Sequence, residues 1–398
     1  MSARCKTAIE KDVQTFSLYI HIPYCQAKCP YCDFNSYAAQ RWPEDDYVAA
    51  LRRELGHYAE HAPWRGGEIG TSFFGGGTPS LFAPQSIAAV LAEVARLWRL
   101  AADVETTLEA NPGTINLERL RGFRAAGINR MSFGVQSFAA HHLRTLGRIH
   151  SADEAGAAIE LAGAAQFDNV SLDLIYALPQ QTLSEWEDDL ARACGLQPAH
   201  ISAYNLTYEE GTPFHQWRSA GQLRQLPEEV EVAMFTCATE RLGAAGYEQY
   251  EISNYARAGR ACRHNLNYWR GGLYLGVGAG AHSYARATGV DEHYGRRWSN
   301  EKNPIDYRRR VTELGHARSF EETLDARQAR GEFVFLALRC SEGLSGTAFR
   351  QRFDAELPEV FPHVAALRDE ELLRSDGDRW QLTPRGLLVA DSVFATFL

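Results

Sequence analysis

Leu18-Tyr-Ile-His-Ile-Pro-Tyr-Cys25-Gln-Ala-Lys-Cys29-Pro-Tyr-Cys32 joins a short β-branched and aromatic run to three cysteines spaced CxxxCxxC. Leu18–Pro23 reads as a strand, which puts the cysteines on the loop at its C-terminal end. Three thiolates on one loop can hold three corners of a cubane iron–sulfur cluster. The fourth iron then keeps an open position, as reactive metal sites do. A three-ligand zinc site and incidental cysteines are the competing readings. Zinc sites favour CxxC pairs answered by a second Cys or His pair, and none is present. Cys25, Cys29 and Cys32 are therefore the candidate ligands of a [4Fe–4S] cluster. Cys5, Cys194, Cys237, Cys262 and Cys340 are scattered, mostly in apolar contexts, and read as small structural hydrophobes.

Outward from this strand the chain keeps a regular rhythm. Thr71–Phe74, Val104–Ala110, Arg130–Val135, Val170–Tyr176 and His200–Leu206 read as further strands. Asp46–His61, Gln85–Trp98, Leu117–Ala126, Ala139–Leu146, Ala152–Ala165 and Leu183–Cys194 carry helical periodicity between them. Six βα units predict an α/β fold with a parallel sheet and its helices outside. Six rather than eight predict an incomplete (β/α)6 barrel, open on one side, with its chemistry at the C-terminal strand ends.

The domain reading follows from the same pattern. Residues 1–15 are polar and unpatterned, as in a disordered tail. Residues 16–255 make the partial barrel, and the rhythm stops beyond. Residues 256–303 read as a connecting segment holding His264-Asn-Leu-Asn-Tyr-Trp269 and a Gly-rich stretch. Residues 304–398 read as a small, mainly helical C-terminal domain, winged-helix-like where Asp378–Leu388 passes from a strand into a helix.

Composition narrows the function classes. At 398 residues the chain buries its own core without a disulfide framework. A net charge of −9, with lysine only at positions 6, 11, 28 and 302, argues against nucleic acid as the main partner. No secretory leader and no membrane-length apolar run are apparent, so the expected compartment is the cytoplasm. Clustered cysteines in a reducing compartment mean metal or redox chemistry.

Further polar residues gather at the predicted strand ends. Gly75-Gly-Gly-Thr-Pro79 follows the second strand, where missing side chains let backbone approach a small polar ligand. Glu109 and Asp173 are carboxylates suited to an amine or to ribose hydroxyls. Gln136 can both donate and accept, and Arg148 can pair with a carboxylate through two parallel hydrogen bonds. S-adenosylmethionine offers the amine and carboxylate that could chelate the open iron. An electron from the cluster could then break its sulfonium bond to give a 5′-deoxyadenosyl radical.

With these motifs in place the sequence resembles the radical-SAM family that contains oxygen-independent coproporphyrinogen III oxidase, from about Ser17 to Phe397. Glu109-Ala-Asn-Pro112, Gly134-Val-Gln-Ser-Phe138, Gly147-Arg-Ile-His150 and Asp173-Leu-Ile-Tyr176 belong to the likeness. His264-Asn-Leu-Asn-Tyr-Trp269 is similar to a signature of the heme-chaperone branch. The resemblance implies S-adenosylmethionine contacts from Tyr19, Gly76, Thr78, Glu109, Gln136, Arg148 and Asp173, with Thr207 on a weaker local match. It implies that His264 helps hold heme, with Tyr268 and Trp269 offering aromatic area; His282 is a second histidine nearby.

The sequence also departs from the oxidase. Phe34 stands where the oxidase has a fourth cysteine, and the oxidase's longer N-terminal extension has no counterpart here. The function expected is therefore a heme chaperone that carries heme to apo-hemoproteins such as respiratory enzymes. The chain is not expected to oxidise coproporphyrinogen, and whether it turns over any substrate stays open. An oxidase or other radical-SAM tetrapyrrole enzyme is the alternative, and an RNA-modifying enzyme is disfavoured by the acidity. The resemblance further implies a cluster-dependent homodimer and leaves room for peripheral membrane association.

Overall fold

The computed structural model describes residues 13–286 and 294–398. Twelve residues of the expected N-terminal tail lie outside the described residues, and Thr15 already belongs to the first strand. Phe16, Leu18, Ile20 and Ile22 are at most 2% exposed on one side of β1 (Thr15–Ile22), while Ser17, Tyr19 and His21 alternate onto the other. Period-2 alternation is what a strand with one apolar and one polar face requires. A two-residue pair follows, β2 (Tyr24–Cys25) against β3 (Tyr37–Ala38), and brackets the cysteine loop.

The βα units then run as the sequence predicts: α1 (Glu44–Ala59), β4 (Glu68–Gly76), α2 (Pro84–Leu97), β5 (Arg99–Ala110), α3 (Leu117–Ala126), β6 (Arg130–Gln136), α4 (Ala140–Thr145), α5 (Ala152–Ala164), β7 (Val170–Tyr176), α6 (Leu183–Gly195) and β8 (His200–Asn205). Local chemistry sets the helix ends. Ser151 with Glu154 and Thr182 with Glu185 form capping boxes at α5 and α6, and Gly127 closes α3 at a left-handed φ of 108°. In α1 an acidic first turn precedes Tyr47, Leu51, Leu55 and Tyr58, all fully buried at helical spacing. Each such side chain contributes about 1.5–3 kcal/mol.

Strands β1, β4, β5, β6, β7 and β8 lie side by side and parallel, the core of the expected partial barrel. The sheet does not stop there. After α7 (Pro213–Ser219) and α8 (Glu228–Ala244), β10 (Asn254–Ala256) adds antiparallel to β8, and β9 (Glu248–Glu251) pairs antiparallel with β10 at the edge. After α9 (Arg263–Trp269), β11 (Tyr274–Val277) adds parallel to β1, followed by β12 (His282–Ala285), β13 (Arg296–Asn300) and, beyond α10 (Pro304–Leu314), β14 (Arg318–Thr323). Residues 256–303, read from sequence as a connector, thus supply strands to one edge of a twelve-stranded mixed sheet. Gly-rich short strands carry too little periodicity to announce this.

α11 (Ala326–Arg339) begins the helical C-terminal part, which also holds a small antiparallel sheet of Leu344–Ser345, Leu373–Asp376 and Arg379–Leu382. No described helix is long and apolar enough to cross a membrane.

Candidate functional site

The C-terminal ends of the parallel strands open onto a cavity of about 930 Å³. Cys25, Cys29 and Cys32 border it, half-exposed and free of disulfides. Their loop is held from several sides. The Cys32 amide donates to Cys29 O (3.1 Å), and Lys28 Nζ donates to the carbonyls of Phe34 (3.2 Å) and Ser36 (3.1 Å). Asn35 Nδ2 donates to Ala279 O (2.9 Å) and Lys302 O (3.0 Å), tying the loop to the late strands. Lys28, conspicuous in a lysine-poor chain, is thus a loop brace. Thr78 Oγ1 approaches Cys25 Sγ at 3.6 Å, and Arg148 Nη1 approaches Cys29 Sγ at 3.5 Å.

Three thiols without a fourth protein donor suit a cluster with one open iron. Among the described residues no histidine or carboxylate completes a metal-ligand group with them. Burial pushes the Cys25 and Cys32 thiols up, so bound iron would be what draws their protons off.

Glu109 and Asp173 border the cavity floor. Burial, and then the neighbouring Asp173 charge, raises the Glu109 carboxyl to about 8. Burial also raises Asp173, against the pull of Ser202 (2.8 Å) and Ser132 (3.1 Å) hydroxyls that donate to it. Two carboxyls of raised affinity for protons would favour a cationic ligand that lets them ionise.

Gly76, Thr78, Gln136, Arg148 and Thr207 also line the cavity. Gln136 sits at φ 69°, where β6 loses register with β7. A non-glycine residue there costs roughly 1–2 kcal/mol, strain of the kind found at working sites. Arg148 Nη2 donates to Gly134 O at 2.6 Å, which fixes the guanidinium over the cysteine loop.

Three expected site elements are placed otherwise than direct ligand contact would suggest. The Gly75–Gly77 backbone does not face the cavity with free amides: Gly76 N donates to Glu109 Oε2 (3.2 Å) and Gly77 N to Ile22 O (2.8 Å). The glycines are there for fit, since a Cβ on Gly76 would enter the His21 ring and one on Gly77 the Tyr24 carbonyl. Tyr19 does not line the cavity; its hydroxyl is bonded to His21 Nδ1 at 3.0 Å, beneath the floor.

His264 is the third. It is 1% exposed, its Nδ1 is 2.7 Å from Thr71 Oγ1 and its Nε2 is 3.0 Å from Tyr268 OH. Thr71 lies five residues down β4 from Gly76, about 16 Å from the cavity rim at roughly 3.3 Å per residue. With Glu105 accepting from the His264 amide (3.2 Å), α9 packs into the lower half of the strand array. Burial drives the imidazole down to about 3, so it is a neutral core group without a free nitrogen for iron. His282 does not line the cavity either.

Sequence reasoning missed the far wall. Tyr204, Glu231, Phe235, Ile252 and Arg339 border the cavity, and so does Leu387–Ser392 near the C-terminus. Leu388 and Val389 remain 42% and 37% exposed there, and Phe34, which lines the same cavity, is 61% exposed. Nothing in the local sequence marks Leu387–Ser392 as bordering a site whose cysteines lie about 360 residues earlier.

The chain matches the Radical SAM superfamily over residues 19–193 and the HemN C-terminal domain over residues 324–389. It is 39% identical to the heme chaperone HemW of Haemophilus influenzae, across 96% of this chain and 97% of that one. It is 35% identical to the heme chaperone HemW of Bacillus subtilis, across 96% and 99%. Its fold is that of the radical SAM enzyme coproporphyrinogen III oxidase (HemN) of Escherichia coli, with a TM-score of 0.82 over 97% of this chain and 90% of that one. At 24% identity that likeness speaks for the fold alone.

Proposed function

The chain belongs to the radical SAM superfamily and, within it, to the HemW family of heme chaperones, and from that premise we propose that it binds heme and delivers it to apo-hemoproteins. A [4Fe–4S] cluster on Cys25, Cys29 and Cys32 and S-adenosylmethionine beside it belong to the same reading. The observation that carries it is the cysteine loop beside a wide cavity that also gathers Glu109, Asp173, Gln136 and Arg148.

The residues divide the work. Glu109 and Asp173 receive the cationic part of S-adenosylmethionine, Gln136 meets ribose hydroxyls, and Arg148 meets a carboxylate. When bound, the cluster and S-adenosylmethionine together supply one-electron chemistry. Heme, as cargo, rests in the cavity where Phe34, Phe235, Leu388 and Val389 offer area to a flat macrocycle. The acceptors are apo-hemoproteins such as respiratory enzymes, and the expected place of action is the cytoplasm.

The test is anaerobic titration of cluster-reconstituted protein with heme and, separately, with coproporphyrinogen III. The reading expects saturable heme binding with a shifted Soret band, transfer to an apo-hemoprotein, and no decarboxylation. Robust decarboxylation would replace the chaperone with an oxidase. Absence of heme binding would remove the chaperone altogether.

A further inference from the structure

Outside the cysteine loop, the described residues bring one group of metal-capable side chains together: His141 and His142 on α4 and Glu185 in the first turn of α6, with ligand atoms within 4.8 Å of one another. We propose that these three residues bind a divalent transition-metal ion of the zinc class and clasp α4 to α6. Nothing in the heme or S-adenosylmethionine reading requires this site, and it stands or falls apart from them.

The geometry is that of a prepared site. Glu185 Oε2 accepts from the Thr182 amide (2.8 Å) and hydroxyl (2.9 Å), so the capping box fixes the carboxylate. Oε1 is left toward His141 Nε2 at 3.0 Å. His142 Nε2 lies 3.5 Å from Oε2, too far for a good hydrogen bond, and is buried without any well-aligned partner. A buried polar atom left so is costly unless something satisfies it, and a metal ion would. The His142 ring is 1% exposed. The two rings stand 4.0 Å apart, and His141 is half open to solvent. One buried imidazole, one exposed imidazole and an oriented carboxylate are three nitrogen and oxygen donors of the kind a zinc-class ion takes.

The backbone is held independently of any metal. Ser137 Oγ and the Phe138 amide donate to Asp189, one helical turn beyond Glu185, at 2.7 and 2.6 Å. The clasp would therefore close at little cost in ordering. Its position matters because α4 runs directly into Gly147 and Arg148, which meet the cysteine loop at Pro30 and Cys29.

Cluster-reconstituted protein is dialysed against Zn²⁺, its metals are counted, and a second sample is titrated with Co²⁺. The expected result is one zinc per chain beyond the cluster iron. Cobalt should show ligand-field bands without a thiolate charge-transfer band, which separates this site from the cysteines. His141→Ala, at an exposed position that cannot harm the core, should weaken Zn²⁺ binding at least tenfold, as should His142→Ala; loss of even an outer-shell partner costs about 10–100-fold. Zn²⁺ should also raise the melting temperature of the wild type and not of His141→Ala. No zinc beyond the iron, unchanged affinity in His141→Ala, or a thiolate charge-transfer band lost with the cysteines would each overturn the proposal.

Discussion

Arg148 Nη1 stands 3.5 Å from Cys29 Sγ while its Nη2 is fixed to Gly134 O at 2.6 Å. One guanidinium therefore spans from a strand of the parallel core to the cysteine loop, next to where S-adenosylmethionine is expected. Arg148→Ala removes a charge-assisted hydrogen bond of about 1.5–3 kcal/mol, which corresponds to roughly 10–100-fold in affinity. S-adenosylmethionine binding, measured by titration calorimetry on reconstituted protein, should fall by that factor. Arg148→Lys should recover only part of it, since an ammonium cannot hold both partners in one plane.

Replacing Cys25, Cys29 and Cys32 together by Ala should abolish bound iron and sulfide and the brown chromophore. The same variant should melt within a few degrees of cluster-free wild type, because half-exposed loop thiols bury little and the core rests on β1 to β8. Iron retained at wild-type stoichiometry would end the cluster assignment.

The Glu109 carboxyl carries a pH signature. Free in the unfolded chain it ionises near 4.5; at the cavity floor it holds its proton to about 8. Below about 8 a cationic ligand that needs the carboxylate must expel a proton. Affinity for S-adenosylmethionine should therefore rise as pH approaches 8 and level off above it. Calorimetry at pH 7 in buffers of different ionisation enthalpy should show proton release, and Glu109→Gln should lose both the release and the slope.

Much of this was legible in the sequence, and for identifiable reasons. Long strands with one apolar face, such as Phe16 to Ile22 and Val170 to Tyr176, write their register in period 2, and the helices between them carry caps. The cysteine loop declares itself by spacing. The edge strands from Tyr274 to Thr323 do not, because four- to six-residue strands interleaved with glycine have no period to read. For His264 a motif gives residue types and not depth: the structure buries it, and Thr71 and Tyr268 bond both its nitrogens. Gly75–Gly77 are ambiguous in the same way, since a glycine admits a ligand or a neighbouring side chain equally well.

His264 now predicts a stability effect where the motif suggested a heme ligand. His264→Ala strips a ring from the core and leaves Tyr268 OH without its bond, at a cost of roughly 2–4 kcal/mol. Urea unfolding should register that loss. Heme affinity and the Soret band, taken where the variant is fully folded, should match the wild type. A folded His264→Ala that bound no heme would return the residue to the cargo site.

Glu54 tests whether the late strands are part of the core. It lies on α1, fully buried, and accepts from the Gly278 amide (2.9 Å), Tyr307 OH (2.7 Å) and Asn300 Nδ2 (2.8 Å). Those three donors come from the end of β11, from α10 and from β13, so one carboxyl joins an early helix to the whole added edge. Glu54→Ala leaves three buried donors unmet and should cost about 2–4 kcal/mol, on the scale of 1–3 kcal/mol for each buried group left without a partner and partly relieved by water. Glu54→Gln keeps one acceptor and should cost less. The pH dependence has a definite sign. Burial raises the folded carboxyl to about 7, above its value of 4.5 in the unfolded chain. Between pH 4.5 and 7 the unfolded chain sheds this proton first, so the contribution to stability falls as pH rises and is flat above 7. Urea unfolding of wild type at pH 5 and pH 7.5, with Glu54→Gln beside it, isolates the term. The variant's stability deficit should shrink from the lower pH to the higher, and a deficit that grows would place the ionised form, not the protonated one, at the centre of this junction.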